Sequence, residues 1–194
     1  MTFKIDRCIE IDAGHRVPTH GSKCANPHGH RYKIFAECQS ASLTREHQGG
    51  AYIHLPGGDK DEQRDMVMDF GFLKEVMMHH IDRMCDHGMI LWCDDPWAAM
   101  MLDPYQNNPI GVLQSLTHVR DETLPFLFDV VEKGHDPLAP RKLLIVPFIP
   151  TAERLAEFWY NLMKEDVHVR SNGVAYLNRV SVWETPNCCA SYPA

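Results

Sequence analysis

Two stretches decide the fold, "FKIDRCIEIDAGH" at residues 3–15 and "HGHRYKIFAEC" at 28–38. In the first, Phe3, Ile5, Ile9, Ile11, Ala13 and His15 share one parity, and Lys4, Asp6, Glu10 and Asp12 take the other. That period of two predicts a half-buried strand with His15 at the end of its apolar face. In the second, His28, His30, Tyr32, Ile34 and Ala36 oppose Arg31, Lys33 and Glu37. His28 and His30 stand two apart on a strand, so their side chains leave the same face.

Working outward, residues 39–64 are polar and glycine-rich and read as a long loop or an extended hairpin tip. "MVMDF" predicts a short strand, with Asp69 placed to cap a helix. Leu73, Val76, Met77, His80, Ile81 and Met84 recur at helical spacing, giving an amphipathic helix over about 70–85 with Gly88 as its stop. The proline-rich 92–142 region offers short helices at "IGVLQSLTHV" or "TLPFLFDVVEK", followed by a strand at "LLIVPF". A second long helix starts at "PTAERLAEFW" with Thr151 as cap, and "GVAYLNRVSVWET" is the final strand, with Val174, Tyr176, Val180, Val182 and Glu184 on one face. Grouped strands with grouped helices predict an α+β fold, helices covering one face of an antiparallel sheet.

The chain has 194 residues, 44% of them hydrophobic, enough for one core and short for two. A net charge of −7 argues against a nucleic-acid surface, which needs a basic stripe. No 18-residue apolar run is present, and the start "MTFKIDRC" lacks a signal-like apolar segment, so the expected location is the cytoplasm, away from membranes. The seven cysteines include no C-x-x-C pair, and adjacent Cys188 and Cys189 are expected to be reduced.

Alone, a His-x-His pair on a strand is two exposed or two core histidines. Here His15 ends a neighbouring apolar face and Cys24 lies just upstream, which turns the reading toward a metal. Zinc takes imidazole nitrogens, and a catalytic zinc keeps three protein ligands and an open position. Cys24 has two readings. Folding back, it closes a structural site as fourth ligand; left unbound beside Lys23 and a metal, it is a thiolate suited to proton abstraction. Asp86–His87 at a helix end is by itself a solvated turn. Glu184 faces the covered side, so its carboxylate needs an arginine, a helix N-terminus or a ligand N–H edge.

The segments "AGHRVP", "KCANPHGH", "VMDFGFLK", "CDHGMIL", "PTAERLAEFW" and "WETPNCCASY" together resemble the 6-pyruvoyl- and 6-carboxytetrahydropterin synthase family, in family order. The resemblance implies a single tunnelling (T-fold) domain over 1–194, assembling as trimers or hexamers. It implies zinc held by His15, His28 and His30, with Cys24 as the base. It further implies that Asp86 and His87 are a catalytic pair reaching the site from a neighbouring subunit, that Glu184 anchors the pterin ring and counts in the catalytic relay, and that Thr151 lies near the ring. The implied substrate is 7,8-dihydroneopterin triphosphate, with Arg16, Lys23 or Arg31 as candidates for its phosphates.

Family spacing separates two activities. The 6-pyruvoyl enzymes look like Cys-x5-His-Gly-His and the 6-carboxy enzymes of the queuosine precursor pathway like Cys-x3-His-Gly-His. Three residues separate Cys24 from His28, which favours the 6-carboxy lyase. The chain departs from compact members through insertions at about 39–64 and 92–147. The alternatives are a 6-pyruvoyl synthase, a non-catalytic module with a closed zinc, and a pterin- or purine-binding protein without the chemistry.

Overall fold

The structure, a computed structural model, describes residues 2–44, 63–102, 126–128 and 142–194. The helix expected at "IGVLQSLTHV" and most of the two insertions lie outside the described residues.

The alternation of the opening segments becomes a long antiparallel ladder. Strand β1 (Phe3–His15) pairs with β2 (His28–Ser40) in unbroken register from Phe3↔Ser40 to His15↔His28. Its inner face buries Ile9, Ile11, Ala13, Tyr32, Ile34, Ala36 and Cys38. Each fully buried aliphatic side chain contributes roughly 1.5–3 kcal/mol. Its outer face carries directly opposed charges, Asp12 with Arg31 at 2.9 Å and Glu10 with Lys33 at 3.0 Å.

Strand β6 (Tyr176–Thr185) joins β2 antiparallel, and β7 (Cys188–Tyr192) forms a hairpin on β6. Thus β6 is not the final strand. Its register shifts between Glu37 and Cys38, where Asn178 is the extra residue. A bulge reverses parity on its far side. Tyr176, expected inside, is therefore 58% exposed, and Leu177 takes the inner place at 4%.

The other half of the sheet is built differently. Strand β3 (Met89–Trp92) runs parallel to β1, β5 (Leu143–Val146) runs parallel to β3, and β4 (Phe126–Phe128) pairs antiparallel with β5. The order is β4-β5-β3-β1-β2-β6-β7, so the sheet is mixed: the β1-β2-β6-β7 half is wholly antiparallel, β1, β3 and β5 run parallel, and β4 closes the far edge antiparallel to β5. Residues 126–128, read from sequence as part of a helix, are a strand because they cover the edge of β5. Strands β3 and β5 are buried on both faces: Ile90, Leu144 and Val146 meet the main core, while Leu91, Leu143 and Ile145 form a second core with Ala98. Buried parallel strands read as continuous apolar runs, so "MILW" shows no alternation.

Helix α1 (Phe70–Met77) starts at Asp69, whose carboxylate accepts the Gly71 N–H at 2.6 Å. It continues through a π turn at Met78–Asp82 into α2 (Arg83–Cys85). His80, on the expected apolar stripe, instead pairs with Asp166 at 2.6 Å. The chain leaves the helix at Asp86, whose backbone is extended, and turns through His87 at φ +55°, ahead of Gly88. "MVMDF" is not a strand. Val67 and Met68 are buried in bends, and the neighbouring main chain bonds in a turn, Thr44 to Met66 and Asp69 to the Gln63 side chain.

Helix α3 (Pro96–Leu102) packs on the second core. Helix α4 (Ala152–Arg170), capped by Thr151, lays Leu155, Phe158, Trp159, Met163 and Val167 against the inner face of the sheet. The result is the expected α+β arrangement, two principal helical segments on one face.

Candidate metal centre and adjoining cavity

Register alone brings three histidines together. His15 and His28 are direct partners across the ladder, and His30 lies opposite Ala13 on the same face. One nitrogen from each of His15, His28 and His30 lies within 4.8 Å of the others. Ring centroids are 4.6 Å apart for His15 and His28, 5.2 Å for His15 and His30, and 4.9 Å for His28 and His30.

The second nitrogens of His15 and His28 are already committed. His15 Nδ1 lies 2.7 Å from the Pro150 carbonyl, which orients the proton there and leaves Nε2 with a lone pair. That Nε2 is buried and has no hydrogen-bond partner. His28 Nδ1 lies 2.8 Å from the Asn26 carbonyl. Backbone carbonyls behind imidazoles are the supports that metal-ligating histidines use. Burial pushes the His15 ring down to about 4, outweighing the bond to Pro150, so the ring is neutral at pH 7 and its lone pair is available. Burial likewise lowers His30. Three convergent imidazoles, one of them with an orphaned buried nitrogen, fit a divalent ion such as zinc with an open position.

The rings open into a cavity of about 730 Å³ lined also by Lys23, Cys24, Thr151, Glu153 and Glu184. Cys24 sits half-buried on the 3-10 turn Lys23–Ala25, and its sulfur does not join the histidine donor set. Glu184 falls where the β6–β7 register slips, between the Trp183↔Cys189 and Thr185↔Cys188 pairs. Its Oε1 is 3.9 Å from His15 Nε2. Burial raises its pKa, and the Glu153 carboxylate adds to the rise.

Asp86 and His87 do not line this cavity. His87 Nδ1 is 2.8 Å from Asp86 Oδ2, and Asp86 Oδ1 accepts the Asp12 N–H at 3.0 Å. Burial raises the Asp86 carboxyl, but the Asp12 N–H and His87 together outweigh it and hold the pKa below the usual value. The His87 side chain is 77% exposed. Of the phosphate candidates, Arg31 is engaged by Asp12, and Arg16 pairs at 3.1 Å with Asp95, whose side chain is fully buried. Lys23 alone of the three lines the cavity.

Sequence reading did not single out His20 or Glu153, and did not place Cys188 and Cys189 on the cavity wall, where all four are found. His20 lies in the irregular connection between β1 and β2, and β7 is too short to show alternation. Only Glu153 carried a local signal, as an acidic residue in the first turn of a capped helix.

The family description "6-pyruvoyl tetrahydropterin synthase" matches residues 4–194. The chain belongs to this family. A curated 6-carboxy-5,6,7,8-tetrahydropterin synthase of Rickettsia felis is 34% identical, the match covering 65% of this chain and 83% of that protein. Proteins of the same name from Aquifex aeolicus and Haemophilus influenzae are 27% and 26% identical. Their matches cover 99% and 98% of this chain and 98% of each relative, so members of this family align along its whole length, insertions included.

Among solved structures, an uncharacterized protein from Wolinella succinogenes superposes with a TM-score of 0.69 at 22% identity, covering 98% of this chain and 97% of that one. The 6-pyruvoyl tetrahydropterin synthase of Plasmodium vivax superposes with a TM-score of 0.55 at 15% identity, covering 98% and 96%. These likenesses establish the T-fold. Membership of the synthase family supports a pterin synthase activity. No helix among the described residues is long and apolar enough to cross a membrane.

Proposed function

We propose that this protein is a zinc-dependent 6-carboxy-5,6,7,8-tetrahydropterin synthase. It converts 7,8-dihydroneopterin triphosphate and water to 6-carboxytetrahydropterin, acetaldehyde and triphosphate, as a cytoplasmic homo-oligomer supplying the queuosine precursor pathway. The observation that carries this reading is one cavity lined by three convergent imidazoles, an uncoordinated Cys24 and a half-buried Glu184. The Cys-x3-His-Gly-His spacing and the names of full-length relatives favour the 6-carboxy over the 6-pyruvoyl product.

His15, His28 and His30 hold the zinc, which when bound polarises the side-chain oxygens of the substrate. Glu184, reaching into the cavity, accepts two N–H bonds from the pterin and orients the ring. Its desolvated carboxylate gains those donors when the ring binds. Cys24, as thiolate, removes the proton from the oriented side chain. Asp86 and His87 of a second copy of this chain bring a proton carrier to the cavity mouth, since within one chain the pair faces solvent elsewhere. Lys23 meets the phosphates, with Thr151 beside the ring.

The test is incubation of the zinc-loaded protein with 7,8-dihydroneopterin triphosphate, followed by identification of the pterin and an assay for acetaldehyde. Formation of 6-carboxytetrahydropterin with stoichiometric acetaldehyde is expected. A 6-pyruvoyl product, or tight binding without triphosphate release, would overturn the assignment.

A further inference from the structure

The peptide unit that joins Asp86 to His87 is held at both ends by groups distant in sequence. Its N–H, on His87, donates to the Asp12 carbonyl at 2.7 Å. Its carbonyl, on Asp86, accepts from Lys142 Nζ at 2.6 Å. Lys142 also approaches the Asp82 carbonyl at 3.4 Å, so its ammonium sits over the C-terminal end of α2, where unsatisfied carbonyls concentrate negative charge.

The lysine is itself fixed. Its carbonyl accepts the Met89 N–H at 3.0 Å, and its stem covers Gly88, where an added Cβ would come within 3.0 Å of Cγ and Cδ. Gly88 is therefore glycine for close approach. His87, next to it, occupies the left-handed region at φ +55°, which costs a non-glycine residue about 1 kcal/mol or more and persists only where surroundings enforce it.

We propose that Lys142 is a positioning residue for the Asp86–His87 pair. It clamps the plane of the intervening peptide against Asp12, and so sets the direction in which His87 leaves the surface. This inference rests on the functional reading above only for its effect on turnover. Lys142 lies within the 92–147 insertion, near its end, so the clamp also makes the end of that insertion part of the reaction machinery. Without the ammonium, the Asp86 carbonyl loses its donor and the peptide rotates more freely, drawing the His87 N–H off Asp12.

The test compares Lys142→Met and Lys142→Arg in the zinc-loaded full chain. Amide hydrogen exchange is read at His87 and, as a control, at Ile34 in the central ladder; kcat and KM are measured in parallel. Loss of a hydrogen bond to a charged group corresponds to roughly 10–100-fold. Lys142→Met should therefore exchange at His87 at least ~10-fold faster with Ile34 unchanged, and lose a comparable factor in kcat with KM steady. Lys142→Arg should restore much of both.

Wild-type exchange at His87 in Lys142→Met would overturn the proposal. An equal rise at His87 and Ile34 would also overturn it, in favour of a purely stabilising role. Should the methionine variant not fold, Lys142→Gln, with a neutral donor, gives the same comparison. Absence of acetaldehyde from the wild type would sink the functional reading alone, and the exchange measurement would still decide for Lys142.

Discussion

The histidine cluster and the Asp86–His87 pair are built in opposite ways. The cluster is made by sheet register: His15, His28 and His30 converge because two 13-residue strands pair without a slip, and His15 is 2% exposed. The pair is made by a helix end. It sits on a left-handed turn, hangs on main-chain bonds to Asp12 and Lys142, and presents His87 to solvent. A cluster anchored on a buried ring with an orphaned nitrogen, His15 Nε2, can be complete within one chain. The exposed pair does not line the cavity of its own chain, and the proposed function has it act at the cavity of a second copy.

The contrast can be broken most sharply at the cluster. His28→Ala should remove bound zinc and with it all measurable turnover, as read by metal analysis and acetaldehyde release. Retained zinc would mean that the rings are not the ligands. Cys24→Ala should lower kcat by roughly 10²–10⁴-fold with zinc content unchanged, the range for loss of a general base. Zinc loss there would make Cys24 a fourth ligand. Mixing and reassembling Cys24→Ala with His87→Ala should recover activity that neither variant has. No recovery would mean that both groups serve one cavity from the same chain.

A smaller effect concerns Glu184. Its folded pKa is raised, so between the ordinary value of 4.5 and the raised one the native state holds a proton that the unfolded chain has released. Stability of the metal-free protein therefore falls as pH rises through that window. Glu184→Gln should flatten this fall and melt no lower than wild type at neutral pH, while turnover drops. A melting temperature with unchanged pH dependence would remove Glu184 from the account. The smallest effect is expected from Arg31→Ala, whose exposed pair with Asp12 should leave melting and turnover within error, since such pairs are solvent-screened.

Legibility followed burial pattern. Strands with one wet face, β1 and β2, announced themselves through period two, and the capped helices through Asp69 and Thr151. "MILW" did not, because both its faces are buried. "MVMDF" misled for a related reason: Val67 and Met68 are apolar because they are buried, while their backbone follows bends. Asn178 defeated parity at Tyr176, since an extra residue in one strand is a property of the pairing. At the site, the histidines were visible from spacing, and His20, Cys188 and Cys189 were not.

What the chain determined by itself was periodic and local: two alternating strands, two caps, and a His-x-His facing the same way as His15. These need only the pleat of a strand and the turn of a helix. Tertiary structure alone decided the rest. It set the parallel half of the sheet, the bulges that moved Tyr176 and aimed Glu184, and the removal of Arg16 and Arg31 into ion pairs. It also placed the Lys142 ammonium on a carbonyl 56 residues away in sequence. Those outcomes depend on which strand meets which, and in what register, so no single segment encodes them.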